Sequence, residues 1–179
     1  MKLLVLTGMP GSGKSSVADV FRRAEVPVII MGDVIRAEVE ERGLEPNPAN
    51  TKDVMLELRE RDGLGAVAKR CIESLKASSS DFLVIEGCRS LEEVEVFDKH
   101  AETLWTVCIH SSPKTRFSRL KDRGREDDPK DWSVFRERDL REISVGLGAV
   151  IALSDIVVIN EGTLEKLEKE AERLVQRFI

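Results

Sequence analysis

An α/β fold built on a five-stranded parallel sheet flanked by helices is what this sequence predicts, and three observations carry the prediction. Five short, almost continuously apolar runs recur: Leu3 to Leu6, Val26 to Met31, Phe82 to Ile85, Leu104 to Ile109 and Ile156 to Ile159. Strands apolar on both faces belong in a covered parallel sheet. Helical patterns separate the runs, as parallel crossovers demand. Between the first run and the first helix lies a glycine-rich stretch, Gly8-Met9-Pro10-Gly11-Ser12-Gly13-Lys14-Ser15, that fits Gly-x-x-x-x-Gly-Lys-Ser/Thr at every fixed position.

In chain order, that first strand, loop and helix form one unit with a chemical purpose. The glycines let the backbone turn tightly and expose successive N–H groups to an anion, and the following helix adds its positive end. Val17, Ala18, Val20 and Phe21 supply the helix's apolar face. The stretch reads as a P-loop that binds ATP through Gly8, Met9, Pro10, Gly11, Ser12, Gly13, Lys14 and Ser15. Lys14 is expected to reach the β- and γ-phosphates and Ser15 to ligate Mg²⁺. The second run ends in Met31-Gly32-Asp33, with Arg36 one helical turn on, so acid and base face the same side and suit a second substrate. A plain N-cap is the structural alternative for Asp33.

Gly43 to Asn50, with Pro46 and Pro48, interrupts the alternation and leads into helical patterns before the third strand. Leu64, Val67, Cys71, Ile72 and Leu75 make one apolar stripe there. Glu86 ends the third run in Ile85-Glu86-Gly87-Cys88-Arg89, where an acid is expected opposite the P-loop to hold Mg²⁺. Arg89 follows with a fork of donors suited to phosphate, and Cys88 reads as packing. Ser90 with Glu93 forms a capping-box pattern, Ser112 with Pro113 opens the next helix, and Thr163 precedes the last.

Arg116, Arg119 and Arg123 share one helical face, followed by Arg125, Asp127 and Asp128 in a charged loop from Gly124 to Lys130. Arginines closing over a transferring phosphoryl stabilise its charge, so Arg119 and Arg123 join Lys14 and Asp33 as catalytic candidates. Arg136 and Arg138 are candidates for the acceptor beside Arg36, Arg89 and Arg125. A solvated charged face is the alternative for these arginines. Asn160-Glu161-Gly162-Thr163 reads as a helix entry. Leu164, Leu167, Ala171, Leu174 and Phe178 stripe the last helix.

Composition bounds the function. With 179 residues and 41% hydrophobic content the chain suits one domain, residues 1–179, with a sizeable core. Lys+Arg (28) and Asp+Glu (33) nearly cancel, leaving −5, which argues against a nucleic-acid binder. Cys71, Cys88 and Cys108 show neither pairing nor zinc spacing, so a reduced compartment is expected. No apolar segment approaches membrane-spanning length, and the first residues do not read as a signal peptide, so the cytoplasm is the expected location.

With those residues quoted, the chain resembles the adenylate kinase and dephospho-CoA kinase branch of P-loop kinases. Over nearly its whole length it is similar to an archaeal family described as adenylate-kinase-related or dephospho-CoA-kinase-like. Gly32-Asp33-Val34-Ile35-Arg36 looks like the Gly-Asp-x-x-Arg of adenylate kinases, and Glu86-Gly87-Cys88-Arg89 like their Asp-Gly-Phe-Pro-Arg, one residue shorter and with Glu for Asp. Arg119-x-x-x-Arg123, Arg125-x-Asp127-Asp128 and Arg136-x-Arg138 resemble the two ends of a lid whose body is missing. Asn160-Glu161-Gly162-Thr163-Leu164-Glu165 looks like the dephospho-CoA kinase ending, a loop near adenine. The resemblance implies a P-loop fold of the nucleoside monophosphate kinase type, an acceptor-binding helical segment at about 33–78 and a short lid at about 124–134. It also implies an ATP- and Mg²⁺-dependent phosphotransferase acting on a nucleoside monophosphate or a dephospho-CoA-like acceptor.

Chemistry separates those acceptors. A phosphate is already ionised near neutral pH and needs no base, leaving Arg36 and Arg89 dominant. A sugar hydroxyl needs a carboxylate to take its proton, which makes Asp33 the expected base. An NTP-binding switch or slow NTPase acting on a protein partner stays open as the alternative, since a shortened cover admits water.

Overall fold

The computed structural model describes residues 1–125 and 128–179, with the backbone but not the side chain of Pro48. In chain order the elements are β1 (Lys2–Thr7), α1 (Lys14–Arg23), β2 (Val28–Ile30), α2 (Met31–Glu41), α3 (Pro48–Asp62), α4 (Ala66–Ala77) and β3 (Phe82–Glu86). Then follow α5 (Leu91–Asp98), β4 (Thr103–His110), α6 (Pro113–Arg123), α7 (Trp132–Ser144), α8 (Leu147–Ala152), β5 (Ile156–Ile159) and α9 (Leu164–Phe178). The expected Asp127 lies outside the described residues.

Among the described residues the five strands form one parallel sheet in the order β2-β3-β1-β4-β5. The winding reverses around β1, so the crevice beyond its carboxyl end is the natural ligand position. Alternate residues of each strand feed separate cores. Leu3, Val5, Leu83 and Ile85 pack with α2 to α5, whereas Leu4, Leu6, Val84, Val107 and Ile109 pack with α1 and α9. The expected parallel sheet flanked by helices is therefore the fold observed.

Four elements depart from the sequence reading. β2 starts at Val28, because Val26 donates its N–H to Phe21 O at the end of α1 and Pro27 has no N–H to give. It also ends early, at Ile30, so Asp33 lies in the first turn of α2 instead of at a strand end, and Ile30 is the N-cap. β5 is an edge strand, with Val157 51% and Ile159 62% exposed, not covered on both faces. Leu64 falls before α4, and α8, anchored by buried Leu147 and Val150, had no counterpart in the expected pattern.

The caps divide as local chemistry allows. Ser90 Oγ accepts from Glu93 N at 3.2 Å. Ser112 and Thr163 occupy N-cap positions without a side-chain cap bond, and Ser112 Oγ meets Thr115 Oγ1 at 3.0 Å. In the proline loop Asn47 caps α3 by accepting from Asn50 N at 2.9 Å.

Candidate functional site

β1 delivers the chain to Gly8 at the sheet's crevice, and space decides the residues there. A Cβ on Gly8 would sit 2.2 Å from Ile109 O, and one on Gly13 would sit 2.5 Å from Asn160 Nδ2. Both glycines also have positive φ, 138° and 104°. The loop is clamped from outside: Ser12 O accepts from Asn160 Nδ2 at 2.8 Å and from Ser111 Oγ at 3.3 Å. Pro10 O accepts from Arg116 Nη1 at 3.2 Å. α1 begins at Gly13 with no capping side chain and no acid in its first turn, which leaves its positive end to an anion.

Lys14 folds over this loop, its Nζ donating to Gly8 O at 2.8 Å and Met9 O at 3.2 Å. Burial pulls its pKa from 10.5 to about 8, against the opposing pull of Glu86 and Glu142. Pairing of Leu6 with Glu86 brings the end of β3 beside the P-loop. Ser15 Oγ donates to Glu86 Oε1 at 2.8 Å, while Glu86 Oε2 is buried without a hydrogen-bond partner. A hydroxyl and a carboxylate with one vacant oxygen are hard ligands of the kind Mg²⁺ takes. The donor set fits that ion.

The other candidates divide into three groups. Asp33 and Arg36 are brought together as a hydrogen-bonded pair on exposed helix surface. Arg89 Nε lies 3.2 Å from Glu142 Oε2, an ion pair without hydrogen-bond alignment, and its Nη1 lies 3.4 Å from Met55 Sδ. Cys88 is buried, and burial pushes its thiol pKa up, as a packing residue requires. The arginines of α6 are engaged locally. Arg119 donates to Ser111 Oγ at 2.9 Å and to Asn160 Oδ1 and Gly162 O, both at 3.2 Å. Arg123 holds buried Asp128 at 2.8 and 2.5 Å. Arg138 Nη1 is 3.8 Å from the same carboxylate, Arg125 gives its backbone N–H to it at 3.0 Å, and Arg136 is exposed.

Sequence reasoning named some site residues in another role and missed others. Arg116 is buried and makes a bidentate pair with Asp139 at 2.8 and 2.7 Å, its guanidinium 4.9 Å from the Phe135 ring centroid. Asn160 is a P-loop clamp as well as a helix entry. Glu93 accepts from Arg89 N at 2.7 Å and from buried Arg59 at 2.9 Å, a use the capping-box pattern flagged only in part. Asp139 and Glu142 carried no signal beyond their charge, on a helix whose buried members are Phe135 and these two acids.

A family described as an AAA domain matches residues 7–136. The UPF0200 protein of Hyperthermus butylicus is 44% identical over 176 residues, covering 98% of this chain and 94% of the relative. That of Methanocaldococcus jannaschii is 44% identical over 181 residues, covering 100% of this chain and 91% of its own. A shikimate kinase from Bacteroides thetaiotaomicron shares the fold with a TM-score of 0.65 at 15% identity, covering 97% of this chain and 98% of the other. TT1252 from Thermus thermophilus does so with a TM-score of 0.62 at 18% identity, covering 99% and 97%. Among the described residues no helix is long and apolar enough to cross a membrane.

Proposed function

The chain belongs to the UPF0200 family and carries an AAA domain, and from that premise we propose that it is an ATP-dependent kinase of a small, nucleotide-like acceptor. The observation that carries the reading is the Ser15–Glu86 hydrogen bond, with a second Glu86 oxygen left vacant beside a buried lysine. In this reading the P-loop amides and the start of α1 bind the phosphates of ATP, and Lys14 leaves its carbonyl partners for the β- and γ-oxygens. Ser15 and Glu86 hold Mg²⁺, which when bound supplies positive charge against those oxygens. Asp33, Arg36, Arg89, Arg125, Arg136 and Arg138 bind the acceptor in this reading. Arg119 and Arg123 bear on the transferring group. That a shikimate kinase shares this fold supports phosphoryl transfer.

Calorimetry with Mg·ATP, followed by transfer assays from labelled ATP to nucleoside monophosphates and dephospho-CoA, tests this. Binding is expected to require Mg²⁺ and to be lost in Lys14→Ala. No heat with Mg·ATP or Mg·GTP, or a Lys14→Ala variant with intact binding, overturns the reading.

A further inference from the structure

Two carboxylates near Lys14 each have one buried oxygen without a hydrogen-bond partner, Glu86 Oε2 and Glu142 Oε2. Glu86 belongs to the cation site proposed above. Glu142, on α7, has no task in that scheme.

Its position is built. Glu142 is only 7% exposed, and its Oε2 faces Arg89 Nε at 3.2 Å. One turn later, a Cβ on Gly146 would lie 3.2 Å from Ser90 Cβ and 3.4 Å from Arg89 O, so the end of α7 is seated on the loop carrying Arg89. Glu142 is also in electrostatic range of Lys14, whose Nζ rests on Gly8 O and Met9 O and which, in the kinase reading, meets the γ-phosphate. The ion pair with Arg89 offsets the charge of the carboxylate but leaves Oε2 without an aligned hydrogen-bond donor, and that part of its desolvation cost stands until a donor arrives.

We propose that Glu142 accepts a hydrogen bond from the nucleophilic hydroxyl of the phosphoryl acceptor, which is therefore an alcohol that also carries an anionic group, not a phosphate. The inference rests on the kinase reading above. A phosphate nucleophile is largely ionised near neutral pH and has little proton to offer, so a carboxylate at that place repels it. An alcohol supplies the missing donor. Arg89, released from Glu142, turns its fork to the acceptor's anion. In the transfer the acceptor oxygen bonds to the γ-phosphorus as the bond from that phosphorus to the bridging oxygen breaks. The bridging oxygen leaves on ADP with the bonding electrons, and the hydroxyl proton passes to Glu142 Oε2. Asp33, the base expected from sequence, is less suited: its side chain is 56% exposed and already engages Arg36.

Two substrates test this in the full chain: water, as the smallest hydroxyl, through ATP hydrolysis, and a panel of alcohols and nucleoside monophosphates with Mg·ATP. Phosphorus NMR distinguishes a new phosphomonoester from a new phosphoanhydride. Phosphomonoester is expected, and Glu142→Gln is expected to lower kcat toward water and alcohols by about 10²- to 10⁴-fold while calorimetry shows unaltered Mg·ATP affinity. If Glu142→Gln fails to fold because Arg89 is left unpaired, Arg89→Met/Glu142→Gln removes both charges and carries the test. Anhydride as the only product, no turnover with water or any alcohol, or hydrolysis that the substitution leaves unaltered overturns the assignment. Wild-type protein that fails to bind Mg·ATP sinks the kinase reading instead.

Discussion

The P-loop end of the crevice and the end where we place the acceptor are built on opposite principles. At the P-loop, neutral backbone groups are pinned by neighbours: Ser12 O by Asn160 and Ser111, Pro10 O by Arg116, Gly8 by the approach of Ile109 O. At the acceptor end, charged side chains neutralise one another in pairs, Asp33 with Arg36, Arg89 with Glu142 and Arg123 with Asp128. A pinned backbone cannot reorganise and, in the reading proposed above, need not, since the phosphates come to its amides. Ion pairs must part before they can serve a ligand. In the proposed reading the first arrangement is set before substrate arrives, and the second is set by the substrate.

The sharpest way to break this comparison is to cut the pair that pins the P-loop. Arg116 and Asp139 are both buried, and Asp139→Ala leaves a guanidinium without its carboxylate. The expected loss is about 3–5 kcal/mol, a large part of the ~5–15 kcal/mol that stabilises an ordinary domain. Urea unfolding measures it. A loss under ~1 kcal/mol would mean that the pinning is not structural, and the contrast with the acceptor end fails.

Lys14 sharpens the contrast from the other side, because in the proposed reading this half-buried charge is held for a ligand and not for stability. Its folded pKa, about 8 against 10.5, lies below that of the unfolded chain. Between those values the unfolded chain binds more protons, so this group makes stability rise with pH across about 8 to 10.5, and its full cost is present below 8. Lys14→Met removes that cost. At pH 7 the variant is expected to be more stable by about 1–3 kcal/mol, the lower end reflecting the lost bonds to Gly8 O and Met9 O. The gain is expected to vanish by about pH 10.5. Denaturation at pH 7 and pH 10 reads both, and a destabilised variant at pH 7 refutes the claim.

What was legible in the sequence follows the range of each interaction. The P-loop, its flanking strand and helix, and Glu86 at the end of β3 were readable because each rests on contiguous spacing: a motif of eight residues, or an apolar run and the first acid after it. Asn160 clamps Ser12 from 148 residues away, Asp139 answers Arg116 across 23, and neither partner has a local pattern. The arginines of α6 show the same limit, since spacing put Arg116, Arg119 and Arg123 on one face but not which carboxylate each would meet. β5 was legible as a strand and not as an edge, because strand order decides coverage and no strand carries its own order. Asp33 shifted from strand end to helix turn because β2 stops at Ile30, which is already the N-cap of α2.

The smallest expected effect is at Asp33, and its smallness is informative. Its pair with Arg36 spans one helical turn in solvent, with both side chains about half exposed. Such pairs contribute roughly 0–1 kcal/mol, because water competes for both ions and two long side chains lose freedom. Asp33→Asn is expected to shift unfolding free energy by no more than about 0.5 kcal/mol, with little dependence on salt. A shift above 2 kcal/mol would make the pair a structural one, on a par with Arg116 and Asp139. A near-silent substitution means that so little free energy holds Asp33 to Arg36 that an anionic ligand can separate them at small cost, as the acceptor end requires.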